Sequence, residues 1–353
     1  WNFPMAIPTW KMFPALVCGN TCVFKPAELT PKTATILVEI IDAAMRQELG
    51  KDYIPGVINI VHGKGRIVGE AITNHPDIDL ISFTGSTAVG KRINEVAGRE
   101  LKRVSLELGG KNAQIVMADA NMDLAIDAVL WGAFGTTGQR CTATSRLILH
   151  KDIHDDFVNK LIERAGKLRL GYGNDKGVDV GPCVSEAQRE TVNNYVKIAR
   201  DEDKATLALG GDYAKDGDLA KGWFYKPTIF TGVTPEMRIA KEEVFGPVLA
   251  VLKCDSLENA IDILNNTQYG LSSSIFTNNV NDAFTAVRDI QAGITYINGA
   301  TIGAEAHMPF GGVKATGNGH REGGWTVYDF YTEWKAVYID YSGKLQRAQI
   351  DNY

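Results

Sequence analysis

The run Gly135–Ala143, GTTGQRCTA, holds one cysteine, Cys141, between an arginine and a threonine in a turn otherwise made of glycine, threonine and glutamine. A free thiol is commonly a small buried packing group. The polar neighbours Gln139, Arg140, Thr142 and Thr144 open a second reading, a partly exposed thiol with a lowered pKa, because thiolate is the form that attacks a carbonyl carbon. Cys18, Cys22, Cys183 and Cys254 lie in apolar or featureless settings and read as packing thiols. A covalent route through a thioester also needs a base to activate water. In RVSLELGG, strand alternation sets Val104, Leu106 and Leu108 on one face and Arg103, Ser105 and Glu107 on the other, which brings Glu107 to the strand's carboxyl end; the alternative is a surface glutamate. The six histidines, His62, His75, His150, His154, His307 and His320, form no pattern resembling a Cys/His pair, which weighs against a cysteine protease.

Two glycine turns compete as phosphate cradles. GKGRIVG, Gly63–Gly69, is a GxGxxxG of the kind that ordinary turns also produce. In FTGSTAVG, Gly85 and Ser86 end a strand and open a helix, so free N–H groups and the positive end of the helix dipole would face a phosphate. Lys25 and Glu28 stand where the strand NTCVFK runs out, the place where doubly wound sheets read ribose hydroxyls; an ordinary solvated strand end is the other reading.

The elements that must position these residues are legible in outline. Thr30 and Pro31 predict a helix start, and the spacing of Ala34, Leu37, Ile40, Ile41 and Ala44 carries the helix to Gly50. Strands are predicted at Asn20–Lys25, Gly56–Val61, Asp79–Thr84 and Arg103–Leu108, with a helix from Thr87, so the first part reads as βαβ units with parallel strands. A boundary falls near Gly110. Beyond it come the strand AQIV, a long apolar helix, the cysteine turn, the strand SRLILH, helices over Ile153–Leu168 and Glu186–Ala199, a polar loop from Gly210 to Gly222 and the strand YKPTIF. The tail Glu333–Tyr341, EWKAVYIDY, alternates like a strand.

Composition limits the function. The 353 residues are 44% hydrophobic, with 37 Lys and Arg against 42 Asp and Glu, and no basic cluster marks a nucleic-acid binder. Two domains are expected at this length. Five cysteines with no paired spacing suggest neither a disulfide framework nor a metal site, and fit a reducing, cytoplasmic setting. No uncharged apolar run is long enough to span a membrane, and the opening lacks the basic start of a signal peptide, so the chain is expected to begin inside a domain.

Taken in order, WNFP, FKPAELTP, FTGSTAVG, LELGGKN, GQRCTA, KEEVFGPV and PFGGVKATGNG resemble the aldehyde dehydrogenase superfamily, across essentially the whole chain. The resemblance implies an α/β fold: a Rossmann-like, doubly wound cofactor domain over residues 1–109, incomplete at its N-terminus, a second α/β catalytic domain over 110–313, and a return segment with an oligomerisation strand over 314–353. By the same resemblance Cys141 is the nucleophile, and the Asn2 amide with the Cys141 N–H holds the oxyanion. Glu107 is the base that hydrolyses the thioester. Lys25 and Glu28 bind the adenosine ribose, Gly85 and Ser86 the pyrophosphate, and Glu243 and Phe245 the nicotinamide side, with Trp1, Leu108 and Lys11 on cofactor or active-site positions. The implied cofactor is NAD, with NADP as an option, the implied partner a small aldehyde, and the implied assembly a homodimer or homotetramer. Glu305 and His307, in the loop that meets the substrate tail, and His320 before Arg321, resemble the branch acting on small polar semialdehydes. A catalytically silent scaffold of the same fold and an acylating dehydrogenase using coenzyme A are the alternatives; intact Cys141, Glu107 and Asn2 weigh against the first, and Glu107 against the second.

Overall fold

The computed structural model describes residues 1–344. Near the start of the chain two βαβ units each close their own parallel pair. Cys22–Phe24 pairs with Ile58–Ile60 across the helix Pro31–Leu49, and Leu80–Thr84 pairs with Arg103–Glu107 across the helix Thr87–Arg99. Pro31 stands in the first turn of its helix, where a missing N–H costs nothing, and Ala34, Leu37, Val38 and Ile41 make its buried stripe. No ladder joins the two pairs, so this part is not one continuous sheet.

The central element is a seven-stranded sheet in the order Ile294–Ile297, Ser272–Phe276, Ala113–Val116, Arg146–His150, Val248–Cys254, Thr228–Thr231 and Thr206–Leu209. All neighbours are parallel except the last pair. Its inner strands are buried along almost their whole length because both faces are covered. Ile115, Ile148, Leu252 and Ile275 pack on one side with the helices Glu186–Lys197 and Leu257–Asn265. Val116, Leu147, Leu149, Val251 and Phe276 pack on the other with Met122–Phe134 and His154–Ala165.

The last part of the chain returns to the first. Gly317 bridges Glu107, Leu108 N–H donates to the Thr316 carbonyl at 2.7 Å, and Val327, Phe330 and Tyr331 pack on Ala15 of the helix Ala6–Val17. The tail Glu333–Tyr341 was expected as a strand; here it is extended but joins no ladder, with Trp334 90% and Tyr338 95% exposed. A strand needs a neighbour to satisfy its N–H and C=O groups, and within the described residues of one chain this run has none. The remainder of the proposed segment, from 345 on, lies outside the described residues.

Candidate active site

The strand Arg103–Glu107 carries Glu107 into the interior rather than to a solvent face. Val104, Ser105, Leu106 and Glu107 are all buried, because helix Thr87–Arg99 covers one side and the returning segment 310–322 the other. Glu107 is 3% exposed, and neither carboxylate oxygen has a hydrogen-bond partner. Burial, reinforced by the nearby Glu322 carboxylate, raises its pKa well above the ordinary carboxylate range, against the pull of Lys11 and Arg321. Glu322 is itself buried but paired: Lys11 Nζ bonds to it and to Ser82 Oγ at 2.9 Å.

Cys141 sits beyond a sharp turn that ends the helix Met122–Phe134. Thr136, Thr137 and Gly138 are successive residues with positive φ, a conformation that side-chain-bearing residues adopt rarely. It is held from outside. Thr137 Oγ1 donates to the Gly181 carbonyl at 2.9 Å, and the Gln139 amide spans Pro182 O and Val184 N at 3.2 and 2.9 Å. Gly138 is irreplaceable on steric grounds as well, since a Cβ there would lie 2.1 Å from the Gly246 carbonyl oxygen.

Cys141 and Glu107 line one cavity of about 280 Å³, with Leu108, Phe3, Trp10 and Phe310 among its apolar walls and Glu322 and Arg140 as its other charged groups. Cys141 keeps some exposure as a residue, but its sulfur is enclosed and its pKa is not lowered. Burial, then the carboxylates of Glu107 and Glu243, push it up to about 12, and the Thr142 N–H offsets only part of this. Arg140, the expected neighbouring cation, stays on the cavity wall but is held by other groups: its Nε donates to Thr136 Oγ1 at 2.8 Å, and its guanidinium lies over the Phe3 and Trp131 rings.

The other expected residues fall into three groups. Asn2 is at the turn that carries Cys141, its Nδ2 donating to the Gln139 carbonyl at 2.9 Å, with the second amide hydrogen uncommitted. Glu243 accepts from Gly110 N–H at 3.0 Å and its carboxyl is raised by burial, while Phe245, at φ 55, stacks edge-on against Trp1 at 5.6 Å. Lys25, Glu28, Gly85 and Ser86 lie at the carboxyl ends of their strands. Glu28 and Ser86 are exposed, Ser86 is the N-cap of the helix Thr87–Arg99, and Lys25 Nζ reaches the Pro26 and Gly63 carbonyls at 2.5 and 3.2 Å.

Glu305 and His307 differ from expectation. Both are exposed and neither lines the cavity; the same loop contributes Gly303 and Ala304 instead. The loop is exposed from Gly303 to Met308, and only its first small residues reach the cavity, while Glu305 and His307 keep their solvation.

Residues that sequence reasoning missed are Glu322 and Arg146. Glu322 follows an arginine in a glycine-rich stretch and gives no local sign of its place beside Glu107. Arg146 was visible as a charge at the head of an apolar strand. It is fully buried, and its guanidinium donates to the Lys111, Ile263 and Leu264 carbonyls at 2.7–3.0 Å, fixing the connector that follows Glu107.

The exposed N-cap Ser86, the glycine before it and the exposed Glu28 carboxylate beyond the strand Cys22–Phe24 fit a dinucleotide, with its pyrophosphate at the helix start and a ribose at Glu28. No group of His, Cys, Asp and Glu among the described residues could hold a metal ion, and no described helix is long and apolar enough to cross a membrane.

The comparisons with known proteins agree with this geometry. The model of the aldehyde dehydrogenase family matches residues 1–337. Aldehyde dehydrogenase 1A1 of Mesocricetus auratus is 43% identical over 98% of this chain, which spans 66% of that protein's length. The alpha-ketoglutaric semialdehyde dehydrogenase of Bacillus subtilis is 42% identical over 96% of this chain and 68% of its own. Among solved structures, betaine aldehyde dehydrogenase of Staphylococcus aureus, in complex with NAD+, superposes with a TM-score of 0.89 at 36% identity, covering 94% of this chain and 64% of that one. A cysteine and an unpartnered glutamate sharing one cavity, on a fold matched over nearly all the described residues, place the chain in the aldehyde dehydrogenase family.

Proposed function

We propose that the protein oxidises an aldehyde to its carboxylic acid with NAD as the oxidant, through a thiohemiacetal and then a thioester on Cys141. The observation that carries this reading is Glu107: a buried carboxylate with no partner, on the wall of the cavity that the thiol also lines.

Cys141 adds to the aldehyde carbon and its proton passes to water as the C–S bond forms, which spares the free protein from holding a thiolate beforehand. Charge develops on the former carbonyl oxygen, where the Cys141 N–H and the free hydrogen of the Asn2 amide can meet it. NAD, when bound, supplies the acceptor for the hydride that the adduct must lose. Water then attacks the thioester, Glu107 takes its proton, and the acid leaves as the thiol is restored. Glu28 favours NAD, because a carboxylate that accepts from ribose hydroxyls repels a 2′-phosphate there.

The substrate is proposed to be a small aldehyde carrying a carboxylate. Arg140 lines the cavity beside Cys141, is stacked between two rings and has no carboxylate partner among the described residues, so an anionic tail would complete it. The relatives named for alpha-ketoglutarate semialdehyde, in Bacillus subtilis and Haloferax volcanii, agree with that class. The test compares NADH formation with a carboxylate-bearing semialdehyde and an unsubstituted aldehyde of equal length. The semialdehyde should win in kcat/KM and Arg140→Met should remove its advantage; a preference for the unsubstituted aldehyde overturns the assignment.

The tail Glu333–Tyr341 is proposed to pair with another copy, giving a homodimer or homotetramer, since it exposes Trp334, Val337, Tyr338, Ile339 and Tyr341 along one extended run. Five free thiols support a reducing, cytoplasmic setting.

A further inference from the structure

The carbonyl groups of the nucleophile turn are all spoken for. Asn112 Nδ2 donates one hydrogen to the Cys141 carbonyl at 2.7 Å and the other to the Ala143 carbonyl at 2.9 Å. Thr301 Oγ1 donates to the Thr142 carbonyl at 2.6 Å, and Ala143 N–H closes the turn onto the Arg140 carbonyl at 3.1 Å. Asn112 is fixed in turn: its Oδ1 accepts from Ser272 N–H at 2.9 Å, and its own carbonyl accepts from Ser145 and Arg146 N–H at 3.2 and 3.1 Å. The side chain is 3% exposed and uses both donors, so its orientation has one solution.

A trans peptide is planar, and its C=O and N–H point in opposite directions. Drawing the Cys141 carbonyl toward Asn112 therefore turns the N–H of the next residue, Thr142, to the other side, and that N–H favours the ionised form of the adjoining Cys141 thiol. A hydrogen bond accepted by the carbonyl also polarises the same peptide and strengthens its N–H as a donor. Beside Asn112, Gly110 leaves the Cys141 carbonyl room to sit, since a Cβ there would be 2.7 Å from that oxygen and 3.1 Å from Asn112 Oδ1.

We propose that Asn112 is a positioning residue that sets the reactivity of the Cys141 thiol by fixing the Cys141–Thr142 peptide, so that the Thr142 N–H stabilises negative charge on sulfur. The proposal rests on Cys141 being the nucleophile but concerns a different property, its readiness to ionise. Asn112 lies on the connector that follows Glu107, so one short segment delivers the base and orients the nucleophile's peptide.

The test is the pH dependence of Cys141 alkylation by iodoacetamide in the free protein, read by mass spectrometry of the peptide that contains it. Asn112→Ala should move the midpoint to higher pH and slow alkylation at neutral pH about tenfold, the effect of one pH unit. Asn112→Ser, which keeps one short donor, should fall between the parent and Asn112→Ala, and it carries the test if the alanine variant does not fold. Gln114→Met disturbs the same segment two residues on without touching the turn, and it should leave the midpoint in place. An unchanged midpoint in folded Asn112 variants, or an equal shift in Gln114→Met, overturns the proposal. Failure of the nucleophile assignment itself would show separately, as undiminished turnover in Cys141→Ala.

Discussion

Two buried carboxylates line the cavity, and Glu322 has the cation while Glu107 has none: Lys11 bonds to Glu322, and both oxygens of Glu107 are left without a partner. A cation bonded to Glu107 would lower its pKa and so weaken it as the proton acceptor of the proposed hydrolysis. The pairing of its neighbour leaves Glu107 basic.

Glu107→Gln should form NADH in a single burst and then turn over slowly, because adduct formation and hydride loss are spared while thioester hydrolysis loses its base. In the parent the hydrolytic step should rise with pH through the raised pKa of Glu107, since the raised value leaves the carboxyl protonated below it and only the ionised form takes a proton. Rapid-quench kinetics across pH check both statements; a steady rate with no burst in the variant removes Glu107 from this role.

Cys141→Ala should abolish turnover and leave NAD affinity nearly unchanged, as the side chain lines the cavity and belongs to none of the hydrophobic clusters. Calorimetric titration of NAD beside an activity assay reads both. Retained turnover contradicts the assignment.

Lys11→Met removes one partner of a pair that is 15% and 5% exposed, which should cost about 3 kcal/mol of stability. It also removes a charge that draws the Glu107 pKa down, so the pH profile of hydrolysis should move to the alkaline side. Thermal unfolding and the pH profile of the slow phase measure the two effects independently.

Arg146→Leu leaves carbonyls of Lys111, Ile263 and Leu264 without donors in a dry interior, at about 1–3 kcal/mol each. A marked fall in denaturation midpoint is expected, and Arg146→Lys should not restore it because an ammonium cannot reproduce the planar fork. Denaturant titration checks this.

Glu28→Ser should raise the efficiency with NADP relative to NAD, since Glu28 is exposed at its strand end and free to repel a 2′-phosphate. Comparison of kcat/KM for the two cofactors measures the change.

Much of this was legible in the residues themselves. Pro31 and the strands on either side of its helix read correctly because helix and strand periodicities are local, but of the expected stripe Ile40 and Ala44 are exposed, and Val38 is buried in their place. The burial of Glu107 was not, since alternation names two faces of a strand and cannot say that both are covered. The same holds for the Cys141 thiol: its polar neighbours in sequence pointed to easy ionisation, but the groups that set its charge, Glu107 and Glu243, come from distant segments. Glu305 and His307 looked like lining residues because the loop was identified without its orientation. What sequence conceals here is which groups the tertiary fold brings face to face.

The contact between Gly138 and Gly246 bears on how such a protein can be diversified. With 2.1 Å between a would-be Cβ and the Gly246 carbonyl oxygen, no mutational library can place a side chain at position 138 without displacing the backbone beneath the nucleophile, and Gly110 has the same limit against the Cys141 carbonyl. Directed evolution of a new substrate range therefore has a natural partition. The cavity walls Phe3, Ile7, Trp10, Leu271 and Phe310 are positions to randomise, because they line the cavity with apolar side chains and carry no reactive group. The two glycines are positions to freeze, and a selection that returns substitutions there has found a different backbone.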